Sequence, residues 1–114
     1  MDTTSLAALV DEHLAQARRS SAGRSAHTLH GGQGRVLRQT LIALAAHRRL
    51  GEHASPGEAT LQVLRGRVRL HAGEETWDGE AGDHVEIPPT RHDLEALEDA
   101  AVLLTVGLHG VPGA

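Results

Sequence analysis

Apolar residues recur at three- and four-residue intervals over residues 4–19, where Leu6, Leu9, Val10, Leu14 and Ala17 fall on one face. That spacing predicts a helix, with Thr3 or Thr4 as its cap, Asp2 near its start, and Arg18 and Arg19 at its end. A lone helix of this length is marginal in water, so the stripe needs a sheet or a partner subunit to cover it. Residues 20–35, SSAGRSAHTLHGGQGR, are turn-rich and read as a linker or arm. From Val36 onward the period shortens to two. VLRQTLIALAA fits a strand with Val36, Arg38, Thr40, Ile42 and Leu44 on one face and Leu37, Gln39, Leu41 and Ala43 on the other.

Further strands are expected over 48–53, 59–64, 67–71, 74–77, 84–87, 92–97 and 101–107. With no helix between them they must pair antiparallel, in a sandwich or barrel. Gly66 reads as a hairpin turn, Gly73 as the next one, and Pro88-Pro89 as a strand end because neither residue can donate to a ladder. The expected organisation is a helix and arm over 1–34 followed by a barrel domain over 35–114.

Composition narrows the chemistry. At 114 residues the chain buries one core, and without cysteine it has neither disulfides nor thiolate metal ligands. No stretch is long enough to span a membrane and the first residues lack a secretion signal, so a cytoplasmic protein is expected. The net charge of −4 and a single aromatic residue, Trp77, argue against nucleic-acid binding. Arg65, Arg67 and Arg69 alternate onto one strand face, expected to be solvated and paired with Glu74, Glu75 or Glu86. His13, His27 and His30 read as surface or packing residues. GGQGR lacks the Lys-Ser or Lys-Thr ending of a phosphate loop.

Two stretches carry more information. EHASPGEATLQVLRG and GDHVEIPPTRH resemble the paired motifs of the cupins, specifically the small single-domain members. The resemblance covers about residues 36–107 and implies an all-β double-stranded β-helix, a jelly-roll barrel, behind the N-terminal α-helix. Counting back from Gly66, His53 takes the first histidine position of the first motif, Ser55 the second and Ala59 the acidic one. In the second motif His92 takes the histidine position, one residue early, and the asparagine has no match. Of the four positions that ligate metal in the family, the resemblance therefore leaves only His53 and His92.

Two imidazoles hold a transition metal weakly. Glu52 and Glu58 are the possible third ligands, but each lies one residue out of phase unless a bulge shifts the strand. His84 and Gln62 are also out of phase, and His47 is a further possible donor. No resident cofactor is expected; zinc, iron, manganese or nickel would be held at low occupancy. His53 and His92 are expected to face each other from opposite walls of the barrel mouth. Leu61, Val63, Leu70, Val85, Val102 and Leu104 would form its apolar walls, with His53, Leu61, Val63, Val85, His92 and Leu104 lining the ligand pocket itself. Ser55 lacks the elbow and the carboxylate that a hydrolytic nucleophile needs.

The two-sided apolar character of TLQVL implies covered outer faces, and a homodimer would supply that cover. The reading is a small-molecule-binding or regulatory protein for a small polar or apolar ligand, with no nucleic-acid or membrane partner. A metal-dependent oxygenase or isomerase and a ligand-free structural barrel are the alternatives.

Overall fold

Ser5 is the last hydroxyl before the apolar stripe, and its side chain accepts a hydrogen bond from the Ala8 amide at 3.2 Å. Helix α1 accordingly runs Leu6–Arg19 in the computed structural model, which describes residues 1–54 and 57–108. The cap is thus Ser5 rather than Thr3 or Thr4, and no acidic residue occupies the first turn. Arg18 and Arg19 close the last turn as expected.

Eight strands follow among the described residues: β1 Arg24–His30, β2 Leu37–Leu44, β3 Gly57–Arg65, β4 Arg67–Ala72, β5 Glu75–Glu80, β6 His84–Glu86, β7 His92–Ala96 and β8 Ala100–Leu108. They form two antiparallel sheets, ordered β1-β2-β8-β3-β6 and β5-β4-β7. Alternation sends Leu61, Val63, Val102, Val106 and Leu44 inward, against Val68, Leu70, Leu94 and Ala96 of the smaller sheet.

The opposite faces of β2 and β8 meet α1. Leu14 and Ala17 pack on Leu41, Ala43 and Ala101 in a second core, with Leu64 at its rim. Ala43 and Ala101 are register partners, and two methyl groups side by side let the helix sit close to the sheet. This explains why both β2 and TLQVL look apolar on two faces. The cover inferred from a homodimer is supplied here by the chain's own helix.

Three expectations need correction. The supposed arm contains β1, whose residues pair with β2 from Arg24↔Leu44 to His30↔Gln39, so the β structure begins upstream of residue 35. Gly66 is not a hairpin turn, because β3 and β4 lie in different sheets; it is the corner between them. Its φ is +78°, and an added Cβ would stand 2.2 Å from the Asp99 carbonyl oxygen, so glycine is required there. Gly73, by contrast, does open the two-residue β4–β5 hairpin, with φ +61° and Ala72 paired to Glu75.

Residues 48–53 are the third. They run beside β7 but form only isolated bridges, Arg49↔Glu95 and His53↔His92. The arginines of the β3–β4 corner also find other partners than expected: Arg65 binds Asp11 of α1 and Arg69 binds Asp78 of β5. No described helix is long and apolar enough to cross a membrane.

Candidate ligand-binding site

Between its two bridges the 49–53 segment advances four residues while β7 retreats three, from Glu95 to His92. The surplus residue is a β-bulge, and Gly51, at φ +97°, supplies the left-handed backbone it requires. Asp93 fixes the bulge from the facing strand. Its Oδ1 accepts from the Gly51 amide at 2.8 Å and its Oδ2 from Arg49 Nε at 2.5 Å, and the residue is only 6% exposed. Leu50 remains packed on the inner core. The extra residue then shifts the phase, so that His53 rather than Glu52 returns to the inner side.

His53 and His92 exchange both backbone hydrogen bonds, each 3.0 Å long. Their rings meet edge-on with centroids 4.3 Å apart and planes at 68°. The sequence placed them on opposite walls; they are instead direct cross-strand neighbours, as a bridge pair in an antiparallel ladder must be. His92 is 5% exposed, while His53 is open to the mouth.

The two rings share one tautomer. His53 Nδ1 donates to the Gly51 carbonyl at 2.9 Å, and His92 Nδ1 donates to the Thr90 carbonyl at 3.0 Å. A carbonyl only accepts, so the proton of each neutral ring belongs on Nδ1 and the Nε2 lone pair is left available. Neither Nε2 has a protein partner among the described residues. No buried side-chain nitrogen or oxygen lacks a partner there either, so Nε2 of His92 must reach the open space of the mouth.

That space has two levels. Beneath the rings lies a void of about 20 Å³ bounded by Ile42, Leu50, Leu61, Leu70, Leu94 and Leu104, room for about one water. Above them opens a cup of about 290 Å³, lined by Arg38, Thr40, Ala59, Leu104 and both histidines among others. Ile42, Leu104 and the imidazoles border both spaces, which places the rings at the neck. Arg38 and Thr40 reach the cup because they share the inward phase of Ile42 and Leu44 on β2.

Of the pocket residues expected from the sequence, His53, His92, Leu61 and Leu104 come together around this neck. Val63 is fully buried between the sheets, and Val85 borders a different hollow beside Trp77. Leu50 and Leu94 were missed as lining. Leu94 shares the phase of His92 along β7, whereas Leu50 was hidden because the bulge at Gly51 puts it out of simple alternation with His53. Arg38 and Thr40 carried a better signal, the shared phase along β2.

The donor set does not suit a firmly held transition metal. Ala59 points inward on β3, buried and in the cup, so the register inferred from the motif is the one observed and the acidic position holds only a methyl group. Glu58, its neighbour, is on the exposed side of the same strand. Glu52 turns outward to Arg91 at 2.8 Å. His84 and Gln62 are exposed, paired to each other across β3 and β6. Ser55 lies outside the described residues. Among those residues no three His, Cys, Asp or Glu side chains gather as a metal would require.

No family profile matches the sequence, and no curated protein matches it. Solved structures do. A conserved protein of unknown function from Streptococcus pyogenes superposes with a TM-score of 0.72 over 81% of this chain and 80% of its own, at 27% identity. A cupin superfamily protein from Desulfitobacterium hafniense matches 75% of this chain and 77% of its own, with a TM-score of 0.69 and 14% identity. An RmlC-like cupin from Shewanella frigidimarina covers 77% and 78%, with a TM-score of 0.68 and 17% identity. The paired sheets, the order of their strands and these likenesses agree: the chain has the cupin fold, a small jelly-roll barrel behind an N-terminal helix.

Proposed function

We propose that this protein binds a small molecule in the cup above His53 and His92. The observation that carries the reading is the pair of Nε2 lone pairs, held by backbone carbonyls behind them and without a protein partner in front. Preorganised acceptors at the floor of an apolar-walled cup are what a small polar ligand needs for orientation, and the cup's volume of about 290 Å³ lies near the lower end for ligand sites. A structural barrel with no ligand would gain from closing that mouth with side chains. Here the deep interior is filled and the mouth is open.

The Nδ1–H···O=C arrangement also suits metal-ligating histidines, the one feature favouring the alternative of a metal-dependent enzyme. Two nitrogens make a poor cage, so untagged protein purified without added metal or chelator is expected to carry well under one transition metal per chain. A stoichiometric metal in elemental analysis would reverse the ranking. A homodimer, if formed, would have to use faces other than the one α1 covers; the single-neighbour edge of β1 supports that route.

The binding reading is tested by a fragment screen on chelator-treated, 15N-labelled protein, followed through the imidazole resonances. Ligands should move His53 and His92 together, and His53→Ala should weaken them about tenfold, the loss expected for one hydrogen bond of about 1.4 kcal/mol. Hits confined to other surfaces, or none at saturating fragment, would contradict it.

A further inference from the structure

We infer that the ligand is a short hydroxycarboxylate, its carboxylate on Arg38 and its hydroxyl donating to a bare Nε2 of the imidazole pair; this rests on the binding reading above. Arg38 is the one formally charged side chain lining the cup among the described residues. Arg18, Arg49, Arg65, Arg69 and Arg91 each hold a carboxylate, and Arg38 holds none. Its stem runs past Gly31, where an added Cβ would come within 3.2 Å of Arg38 Cγ. The chain as a whole carries −4, so its net field disfavours anions. Of the arginines without an ion-pair partner, Arg38 is the one that lines the cup, and a planar carboxylate matches its fork of donors.

The neck adds a second requirement. A carboxylate pressed against two Nε2 lone pairs would be repelled, whereas a hydroxyl can donate its proton to one of them. Arg38 and the histidines thus ask for an acceptor and a donor on one molecule. Thr40, between them on β2, can serve either role. Length is limited from below: the void under the rings takes about one water, so an alkyl tail cannot pass the neck into the barrel. The class that satisfies all three conditions is a hydroxy acid of a few carbons.

The test is calorimetric titration of the chelator-treated full chain with lactate and 3-hydroxybutyrate, against butyrate without the hydroxyl and propane-1,2-diol without the carboxylate. Each hydroxy acid should bind about tenfold or more tightly than either control, the range for one charge-assisted or neutral hydrogen bond. Arg38→Gln should abolish the advantage over the diol. His53→Ala should weaken hydroxy acid and diol alike. Butyrate or the diol binding as well as the hydroxy acids, or Arg38→Gln binding lactate like the parent chain, would overturn the inference. If the fragment screen yields uncharged ligands at the neck and these acids stay silent, the ligand class falls and the binding site stands; silence in both ends both.

Discussion

Gly51 decides which side chain enters the mouth. Nothing lies within 4 Å of a Cβ added there, so Gly51→Ala meets no steric wall, yet its φ of +97° is one that L residues rarely adopt. The expected cost is about 1–3 kcal/mol of backbone strain, read as a lower midpoint in urea unfolding, together with altered His53 resonances. Full stability and an unchanged His53 would show that the bulge is not fixed by glycine. At this scale the sequence was half legible. The motif spacing found His53, Ala59 and His92 by counting alone. It could not show that the two rings are neighbours, because a bulge is defined by the strand opposite, and that strand lies far along the chain. The counting put His53 in phase and Glu52 out of it, but not the bulge, held by Asp93 and Gly51, that sets this phase.

Among the elements, α1 is the lid of the second core, and Leu14 is its largest fully buried side chain, at 1% exposure. Leu14→Ala should cost about 2–5 kcal/mol in denaturant unfolding. Ser5→Ala should cost about 1 kcal/mol by loss of the cap, and Thr4→Ala much less; equal effects at both positions would place the cap wrongly. The helix was readable because its apolar residues repeat with the helical period. β1 was not, and the reason lies in what covers it. Leu29 alone among its residues joins the second core as a hydrophobic side chain, while Ser25 meets α1 through hydrogen bonds, to His13 Nδ1 at 2.6 Å and Gln16 Oε1 at 3.0 Å. A polar edge strand held in this way leaves no two-residue apolar rhythm. His13, buried at 7% and bonded to Ser25, is the packing histidine that its position beside the stripe implied.

Across the whole molecule, ion pairs tie the helix and the loops to the barrel. Asp99 accepts from Arg18 Nε of α1 at 2.6 Å and from the Ala46 amide at 2.8 Å. The Arg18 hydrogen bond first, then the Ala46 amide, hold its carboxyl below the ordinary aspartate value of 3.8. A carboxyl depressed on folding stabilises the fold above its unfolded value, and that contribution fades as pH falls through the lower folded value. Glu95, lowered by its hydrogen bond from His71, acts in the same direction. Asp99→Asn should therefore reduce stability at neutral pH and flatten its decline on acidification; parallel acid-unfolding curves for the two proteins would deny the tie. The fold itself was largely legible from turn residues and motif spacing, but the Gly66 corner was not, since a hairpin and a change of sheet read alike in one dimension. The proposed function rests on a shared property of two rings at the neck. A long-range 15N–1H correlation spectrum of the imidazoles, recorded well above the ordinary histidine value of about 6.5, tests it most directly. The geometry predicts that both His53 and His92 carry their proton on Nδ1 and leave Nε2 bare; a proton found on Nε2 of either ring would contradict it.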